Sequence, residues 1–365
     1  GKRMSPADFE EILADFTLEE WDSYWASKKN SAPGRSTTNV DMLRCTPEHI
    51  FELIRRLVQL PLRTGQTFSS WLWQLLRPIP KEAGVSHFSR LRPLMLLEVL
   101  RKAFGGLLIR RVSRILHRLG VLEENHHAFI PGATIDDACM ITTLLIEDAV
   151  AHWKPLFMAC LDIRRAYDTG ERTMVIEMAL RRIGLSEAFI SIYHTLDAGN
   201  IIEVLTGFGP SGDVPGGLFH AETGLPQGGE ESPLIFVLAL DIILTWSNKE
   251  KFKENAYFLE AEGDLDIGVS LKAFADDVNS YSRSQAGLQR SLLPLTVGAA
   301  MFGWSWSVDK CTFSAQIPGR NKKTRKLEYV EEEGVNISPL TLSDPWNPEK
   351  EAEIIPFLQA DVAQR

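Results

Sequence analysis

Three aspartates have the residue type and spacing for metal-dependent chemistry: Asp162, near the end of an apolar run, and the adjacent pair Asp276-Asp277. Phe157 to Ile163 (FMACLDI) reads as a buried strand running into a polar turn, and Val269 to Tyr281 reads as two short strands with Asp276-Asp277 at the turn between them. Carboxylates at strand ends are held rigidly and leave room for phosphates. Mg²⁺ prefers such hard oxygen ligands and keeps several waters, so a few protein carboxylates suffice. Two such ions roughly 3.5–4 Å apart can activate a hydroxyl nucleophile and hold a leaving pyrophosphate, which is the chemistry of nucleotidyl transfer. Alone, an Asp-Asp pair is an ordinary turn; its company gives it weight here.

The elements that must position these groups are legible in outline. Pro6 to Trp25 reads as one amphipathic helix, Asn30 to Thr38 as a turn-rich loop, and Glu48 to Leu60 and Trp71 to Leu76 as further helices. A long apolar and basic run from Leu94 to Leu119 reads as helix ended by Gly120. Glu171 to Ile183 reads as helix with Gly184 as its cap, and Thr206 to Gly229 as loop with short strands. Ser232-Pro233 starts a helix that is apolar nearly all round and therefore buried. This mixture of strands and helices indicates an α+β fold.

Composition sets the class. The 365 residues are 44% hydrophobic and 24% charged, as in a soluble globular chain of one or two domains. The most apolar stretch, Pro233 to Trp246, is interrupted by Asp241 and too short to span a bilayer, which excludes a membrane protein. Cys45, Cys139, Cys160 and Cys311 form no CxxC pair, in keeping with a reducing compartment. The chain opens Gly1-Lys2-Arg3, which suggests a piece of something longer. The net charge of −9 opposes nucleic-acid binding, but it is segregated. Between Arg77 and Arg118 ten basic residues, Arg101 and Lys102 among them, face only Glu82 and Glu98, so the stretch reads either as a phosphate-binding surface or as a solvated helix face. A second basic cluster, Arg320 to Lys326, precedes an acidic tail.

Several blocks then occur in an order that resembles reverse transcriptases, especially those of non-LTR (LINE-type) retrotransposons. LRPIPK (Leu76 to Lys81) with RLRPLMLLEVLRKAF (Arg90 to Phe104) resembles the fingers segment, and HAFIPGATIDDA (His127 to Ala138) the block usually written GFRxGxSTxDA. CLDIRRAYD (Cys160 to Asp168) resembles the first catalytic motif, GLPQGGEESPLIF (Gly224 to Phe236) the PQG block, and FADD (Phe274 to Asp277) the second catalytic motif. GWSWSVDKC (Gly303 to Cys311) resembles the later motif that ends in a lysine. The resemblance covers roughly Lys28 to Lys310. Any one block is a weak signal; all in register are strong.

The resemblance implies a right-hand polymerase: N-terminal extension and fingers over 1–155, a palm with an antiparallel sheet backed by helices over 156–318, and a basic then acidic tail over 319–365, with the thumb absent or incomplete. It makes Asp162 and Asp276 the metal-bridging residues and gives Asp277 a lesser ligand role, on two Mg²⁺ ions for which Mn²⁺ can substitute. It places Tyr167 as the aromatic gate against a 2′-hydroxyl, Gln227 and Gly228 in the nucleotide pocket, Lys81 and Arg92 on the triphosphate, and Lys310 beside the leaving pyrophosphate. Partners would be an RNA template, a DNA primer and dNTP substrates, with no membrane and protein partners unknown. The setting would be intracellular, nuclear and cytoplasmic if the element is eukaryotic. The sequence departs from the family at Ala128 and Ile130, where Gly and Arg are usual, and at Ser307 in place of Asn. It also departs at Gly229-Glu230-Glu231, which the motif order places beside the template path. Two other readings compete: a catalytically silent, domesticated palm serving as an RNA-binding scaffold, and an RNA-dependent RNA polymerase.

Overall fold

A computed structural model of the chain describes residues 4–84, 90–122, 126, 128, 132, 134–197, 199–248, 255–260, 267–320 and 327–330. In chain order the first elements are helices α1 (Pro6–Leu13), α2 (Leu18–Ser27), α3 (Val40–Arg44), α4 (Glu48–Val58) and α5 (Leu60–Thr64). Strands β1 (Trp73–Pro80) and β2 (Leu91–Leu96) precede helices α6 (Val99–Leu119) and α7 (Ile135–Ala151). Strand β3 (Leu156–Asp162) leads through α8 (Ala166–Thr169), α9 (Arg172–Arg182) and α10 (Glu187–Asp197) to β4 (Ile201–Thr206), β5 (Gly209–Pro210) and β6 (Leu218–Phe219). Next come α11 (Ser232–Ser247) and strands β7 (Tyr257–Leu259), β8 (Ile267–Val269), β9 (Leu271–Phe274) and β10 (Asp277–Ser282). Helix α12 (Gln285–Met301) and the hairpin of β11 (Thr312–Arg320) and β12 (Leu327–Val330) follow. The fold is α+β. Two compact units emerge, residues 1–133 with 165–242, and residues 134–164 with 243–365.

The first unit is organised around α6. Val99, Ala103, Phe104, Leu107, Leu108, Val112, Ile115 and Leu116 are buried along it, and Gly120 ends it in the left-handed region at φ +56°. Phe104 meets Phe16 edge-on at 6.0 Å and Trp71 at 5.5 Å, which ties the N-terminal helices to this core. The expected single helix from Pro6 to Trp25 is two, because Ser5 with Asp8 and Thr17 with Glu20 each form a capping box that starts a new helix. The sheet has the order β2-β1-β4-β5 with β6 also on β4, and β1 runs antiparallel to β2 but parallel to β4.

Two sequence expectations fail in this sheet. Trp71 to Leu76 is a short 3₁₀ turn followed by strand, and Leu94 to Leu96 belong to β2 rather than to α6. Apolar runs this short have no decisive periodicity, so strand pairing, Leu76 opposite Met95 and Leu75 opposite Leu96, decides them. Pro78 and Pro93 lie opposite each other, so neither asks the other for an N–H donor.

The charged face of α6 also differs from expectation. Arg111 is buried and forks onto Glu20 at 2.7 and 2.6 Å, while also donating to the carbonyls of Ile12, Ala14 and Asp15. Arg114 pairs with Glu11, Arg118 with Asp8, and Arg101 with Glu231. Much of the basic stretch therefore fastens α6 to neighbouring acids instead of forming a phosphate surface. Arg77, Lys81, Arg90 and Arg92, on and around β1 and β2, are exposed.

The second unit is an antiparallel sheet of order β12-β11-β3-β10-β9, with α7 and α12 packed on its strands. Leu145 and Ala149 of α7 join Leu156, Tyr257, Val269 and Tyr281 in one buried cluster, and the Tyr281 hydroxyl lies 2.6 Å from that of Thr142. Asp148, near the end of α7, accepts from the Tyr257 hydroxyl at 2.6 Å and the Glu260 amide at 3.0 Å. The turn expected at Asp276-Asp277 and the strand over Phe157 to Ile163 are both present. Most of the second basic cluster, most of the acidic tail, and Ile130 with much of its block lie outside the described residues. Among the described residues no helix is long and apolar enough to cross a membrane.

Candidate active site

The three sequence-predicted carboxylates come together at one end of the second unit's sheet. Asp162 closes β3, and its register partner across the antiparallel pair is Asp277, the first residue of β10. Phe274 pairs with Asp277 on the other side, leaving Ala275 and Asp276 as a two-residue turn. Ala275 takes φ +53°, a conformation that glycine, asparagine or aspartate usually supplies. The cost is about 1–3 kcal/mol, and such residues persist where surrounding structure holds them. Here the flanking ladder does so, and the strained residue sits immediately before Asp276.

The electrostatics of the cluster are those of crowded anions. Asp277 is held above the usual carboxylate range, first by partial desolvation at the sheet end and then by the like charges of Asp276 and Asp162. Lys310 relieves part of this: its Nζ lies 2.9 Å from one Asp162 oxygen and 3.2 Å from the other. That hydrogen bond, more than the general field, raises the Lys310 ammonium above its ordinary range. The loop carrying Lys310 is fastened to the same strand end, since the Ser307 amide donates to the Asp162 carbonyl at 2.8 Å. Among the described residues no three His, Cys, Asp or Glu groups already converge on one coordination point. The donor set nevertheless fits a divalent cation in kind: hard oxygens, mutually repelling, placed on paired strands.

The first unit holds a cavity of about 350 Å³ whose lining includes Tyr167, Asp168, Gln227, Arg165 and Met95. Tyr167 stacks on Phe236 with ring centroids 5.0 Å apart, so its ring is fixed at the cavity wall while remaining half-buried. Asp168 accepts a 2.6 Å hydrogen bond from Gln227 Nε2. Burial holds the Asp168 carboxyl above its usual range, against the opposing pull of Gln227, Arg165 and Lys81. Two backbone bonds zip this turn to the PQG block: the Leu225 amide to the Tyr167 carbonyl at 2.6 Å and the Gly224 amide to the Gly170 carbonyl at 2.7 Å. A third, from the Met95 amide to the Gln227 carbonyl at 2.8 Å, fixes the block to β2. Gly228 stands where φ is +137° and where a Cβ would collide with the Met95 carbonyl, so no other residue fits without moving the strand.

The predicted nucleotide residues thus separate. Tyr167 and Gln227 line the cavity, Gly228 packs the adjoining turn against Met95 of β2, and Lys81 is near enough to influence Asp168. Arg92 is exposed and alternates with Leu91 and Pro93, which do line the cavity, so it points to the other face of β2. Lys310 lies in the second unit with the carboxylates. Sequence reasoning gave no role to Asp168 or Arg165, although both lie inside the block that carries Asp162 and Tyr167; two charges in a half-buried motif were the available signal. Glu230 and Glu231, expected beside a template, are instead engaged with Lys28, Tyr24 and Arg101.

Comparison with known proteins agrees with this picture. Residues 79–337 match the family described as reverse transcriptase (RNA-dependent DNA polymerase). The Pol polyprotein of the type-1 retrotransposable element R2 of Nasonia vitripennis is 27% identical over 304 residues, 81% of this chain and 27% of that protein. The type-2 element R2DM of Drosophila melanogaster is 24% identical over 277 residues, 73% of this chain and 24% of that protein. The chain therefore spans about a quarter of the length of these curated relatives. Among solved structures, a Candida Tropicalis telomerase aligns at TM-score 0.45 and 12% identity, over 74% of this chain and 46% of that one. With most of its length matched and its motifs in register, the chain belongs to the reverse transcriptase (RNA-dependent DNA polymerase) family, on the branch of non-LTR retrotransposons.

Proposed function

We propose that this chain is the polymerising core of a retroelement enzyme, joining dNTPs to a DNA primer 3′-hydroxyl on an RNA template. One observation carries the reading: the pairing of Asp162 with Asp277 next to the Asp276 turn, which gathers three carboxylates at one sheet end. The family works with divalent ions, and Mg²⁺, with Mn²⁺ able to substitute, fits these hard oxygens. Asp162 and Asp276 would hold the ions and Asp277 would support them. Bound there, the ions supply Lewis-acid polarisation of the attacking hydroxyl and of the leaving pyrophosphate.

The remaining roles belong to side chains. In the carboxylate cluster, Lys310 keeps the charge of Asp162 compensated until substrate arrives, then offers its ammonium to the departing phosphates. In the cavity, Tyr167, braced on Phe236, would pack under the deoxyribose and exclude a 2′-hydroxyl. Gln227, oriented by Asp168, and the bare backbone of Gly228 would approach the nucleotide. Lys81 and Arg165 would meet the triphosphate, Lys as a point charge and Arg as a fork. The template–primer would be gripped through phosphates and shape, since any sequence must be accepted. Such an enzyme works inside the cell, where dNTPs and template RNA are supplied.

Primer extension tests the reading. Wild-type protein should extend a DNA primer on an RNA template with dNTPs when Mg²⁺ is added and not after chelation. Extension with NTPs instead would favour an RNA polymerase, and RNA binding with no extension in either metal would favour a scaffold.

A further inference from the structure

The two acids that interrupt the family's PQG block are not spread over a surface. They stand between the Pro226–Gly229 turn and α11, and each is turned into a slot on α6. Two consecutive glycines, Gly105 and Gly106, open those slots in the middle of a buried helix face. A Cβ on Gly105 would meet Glu231 Oε2 at 2.7 Å, and one on Gly106 would collide with Glu230 and meet the Tyr24 ring at 2.8 Å. Glu231 touches Arg101 at 3.0 Å with both side chains 2% exposed. Glu230 accepts from the Tyr24 hydroxyl at 2.7 Å and from Lys28 Nζ at 2.5 Å.

A buried ion pair adds little net stability, because desolvation cancels most of the attraction; it is strict about geometry, because removing one partner strands the other's charge. Between Arg101 and Glu231 no aligned hydrogen bond accompanies the contact, so net charge and fit hold the pair together. Glu231 is also the residue whose carbonyl accepts the first bond of α11, from the Ile235 amide at 3.1 Å. Its side chain thereby fixes the start of that helix relative to α6. From there the connection to the cavity is short: the Ser232 hydroxyl and the Gly229 amide both donate to the Pro226 carbonyl, at 2.9 and 3.0 Å, and the next residue is Gln227.

We propose that Arg101 acting through Glu231, and Tyr24 with Lys28 acting through Glu230, are positioning residues that hold the Pro226–Gly229 turn in place and so set the pose of Gln227 and Gly228 in the nucleotide cavity. This rests on the polymerase reading for its consequence, though the anchoring itself does not require activity. The N-terminal helix α2, far from the catalytic motifs in sequence, becomes part of the substrate-orienting machinery. None of these residues lines the cavity.

The test uses Glu231→Gln, which keeps size and removes charge, and Gly105→Ala, which fills the slot with a better helix former. Lys28→Ala and the exchange Arg101→Glu with Glu231→Arg complete the set. Hydrogen exchange of the Leu225 and Gly229 amides should quicken by about tenfold or more in Glu231→Gln and Gly105→Ala, with β3 and β10 unchanged. Under primer extension, KM for dNTP should rise by about tenfold while kcat stays within about threefold, and the exchanged pair should recover most of the loss. For Gly105→Ala, a melting temperature at or above wild type together with raised KM would separate positioning from general damage. Unchanged turn exchange in folded Glu231→Gln and Gly105→Ala overturns the proposal, whatever the activity. If Glu231→Gln does not fold, Gly105→Ala and Lys28→Ala decide by the same readouts. A wild type that extends no primer would overturn the polymerase reading alone, since the exchange measurement still decides the anchor.

Discussion

At the scale of single residues, the carboxylates and the aromatic wall make separable predictions. Asp162→Asn and Asp276→Asn keep size and hydrogen bonding but remove charge from the cluster. Each should abolish nearly all primer extension while circular dichroism stays native; Asp277→Asn should lose less, because it would only support the ions that Asp162 and Asp276 hold. Wild-type extension by either of the first two would remove the metal assignment. Tyr167→Ala deletes the ring that stacks on Phe236 and opens the cavity wall. Incorporation of ribonucleotides relative to dNTPs should rise by at least about tenfold, read from competing-substrate extension on one template. An unchanged ratio would make Tyr167 a packing residue only.

At the scale of elements, the ion pairs that tie helices together become testable as stability. Arg111 is 4% exposed and forks onto Glu20 of α2. Arg111→Met should cost about 3 kcal/mol in urea unfolding, because Glu20 and three backbone carbonyls lose their donor. The end of α7 offers a pH test. Burial works against ionisation of Asp148, but the Tyr257 hydroxyl, the Glu260 amide and Lys154 outweigh it and hold the carboxyl below its usual range. A carboxylate whose folded-state affinity for protons is lowered contributes stability in full above its unfolded value, near 4, and loses it as pH falls through the lower folded value. Thermal melts should therefore show an acid-side decline that shrinks in Asp148→Asn. The elements themselves were unevenly legible. Gly120, Ser232-Pro233 and the Asp276-Asp277 turn announced themselves through local chemistry. The break between α1 and α2 was written in two capping boxes that the continuous apolar spacing of Phe9, Ile12, Leu13 and Phe16 masked. β1 and the head of β2 were hidden because their strand character comes from pairing across a hairpin, which no local pattern encodes. The clustered aspartates were readable for the opposite reason: the metal chemistry proposed for them demands particular residue types at fixed places. The bond from Gln227 to Asp168 joins residues 59 positions apart and has no sequence signature.

At the scale of the whole molecule, charge placement would decide how the proposed polymerase holds nucleic acid. The formal charge is −9, and several cations of the basic stretch are consumed by Glu20, Glu11, Asp8 and Glu231. The exposed Arg77, Arg90 and Arg92 remain as the better candidates for holding phosphates. Template–primer affinity should be weak, and extension should stop after a few nucleotides before dissociation. Anisotropy titrations at several salt concentrations should show log affinity falling with log salt. Arg90→Ala with Arg92→Ala should flatten that slope by about one for each phosphate that is no longer neutralised. Arg101, being buried, should leave the slope unaltered when replaced by Met. Tight, salt-insensitive binding would show that the duplex is held elsewhere.

The two-residue turn at Ala275-Asp276 has a consequence for how this sequence can vary. Along β10 the side chains of Val278, Ser280 and Ser282 are fully buried on one face and Tyr281 on the other. One extra amino acid in the turn, if absorbed by sliding the strand, would exchange those faces and carry Asp277 out of register with Asp162. In a library of variants, substitutions at 276 should yield folded, silent proteins and those at 277 folded proteins of reduced activity. Single-codon insertions between 275 and 277 should instead disappear from the soluble fraction, so this stretch tolerates a change of letter and not a change of length.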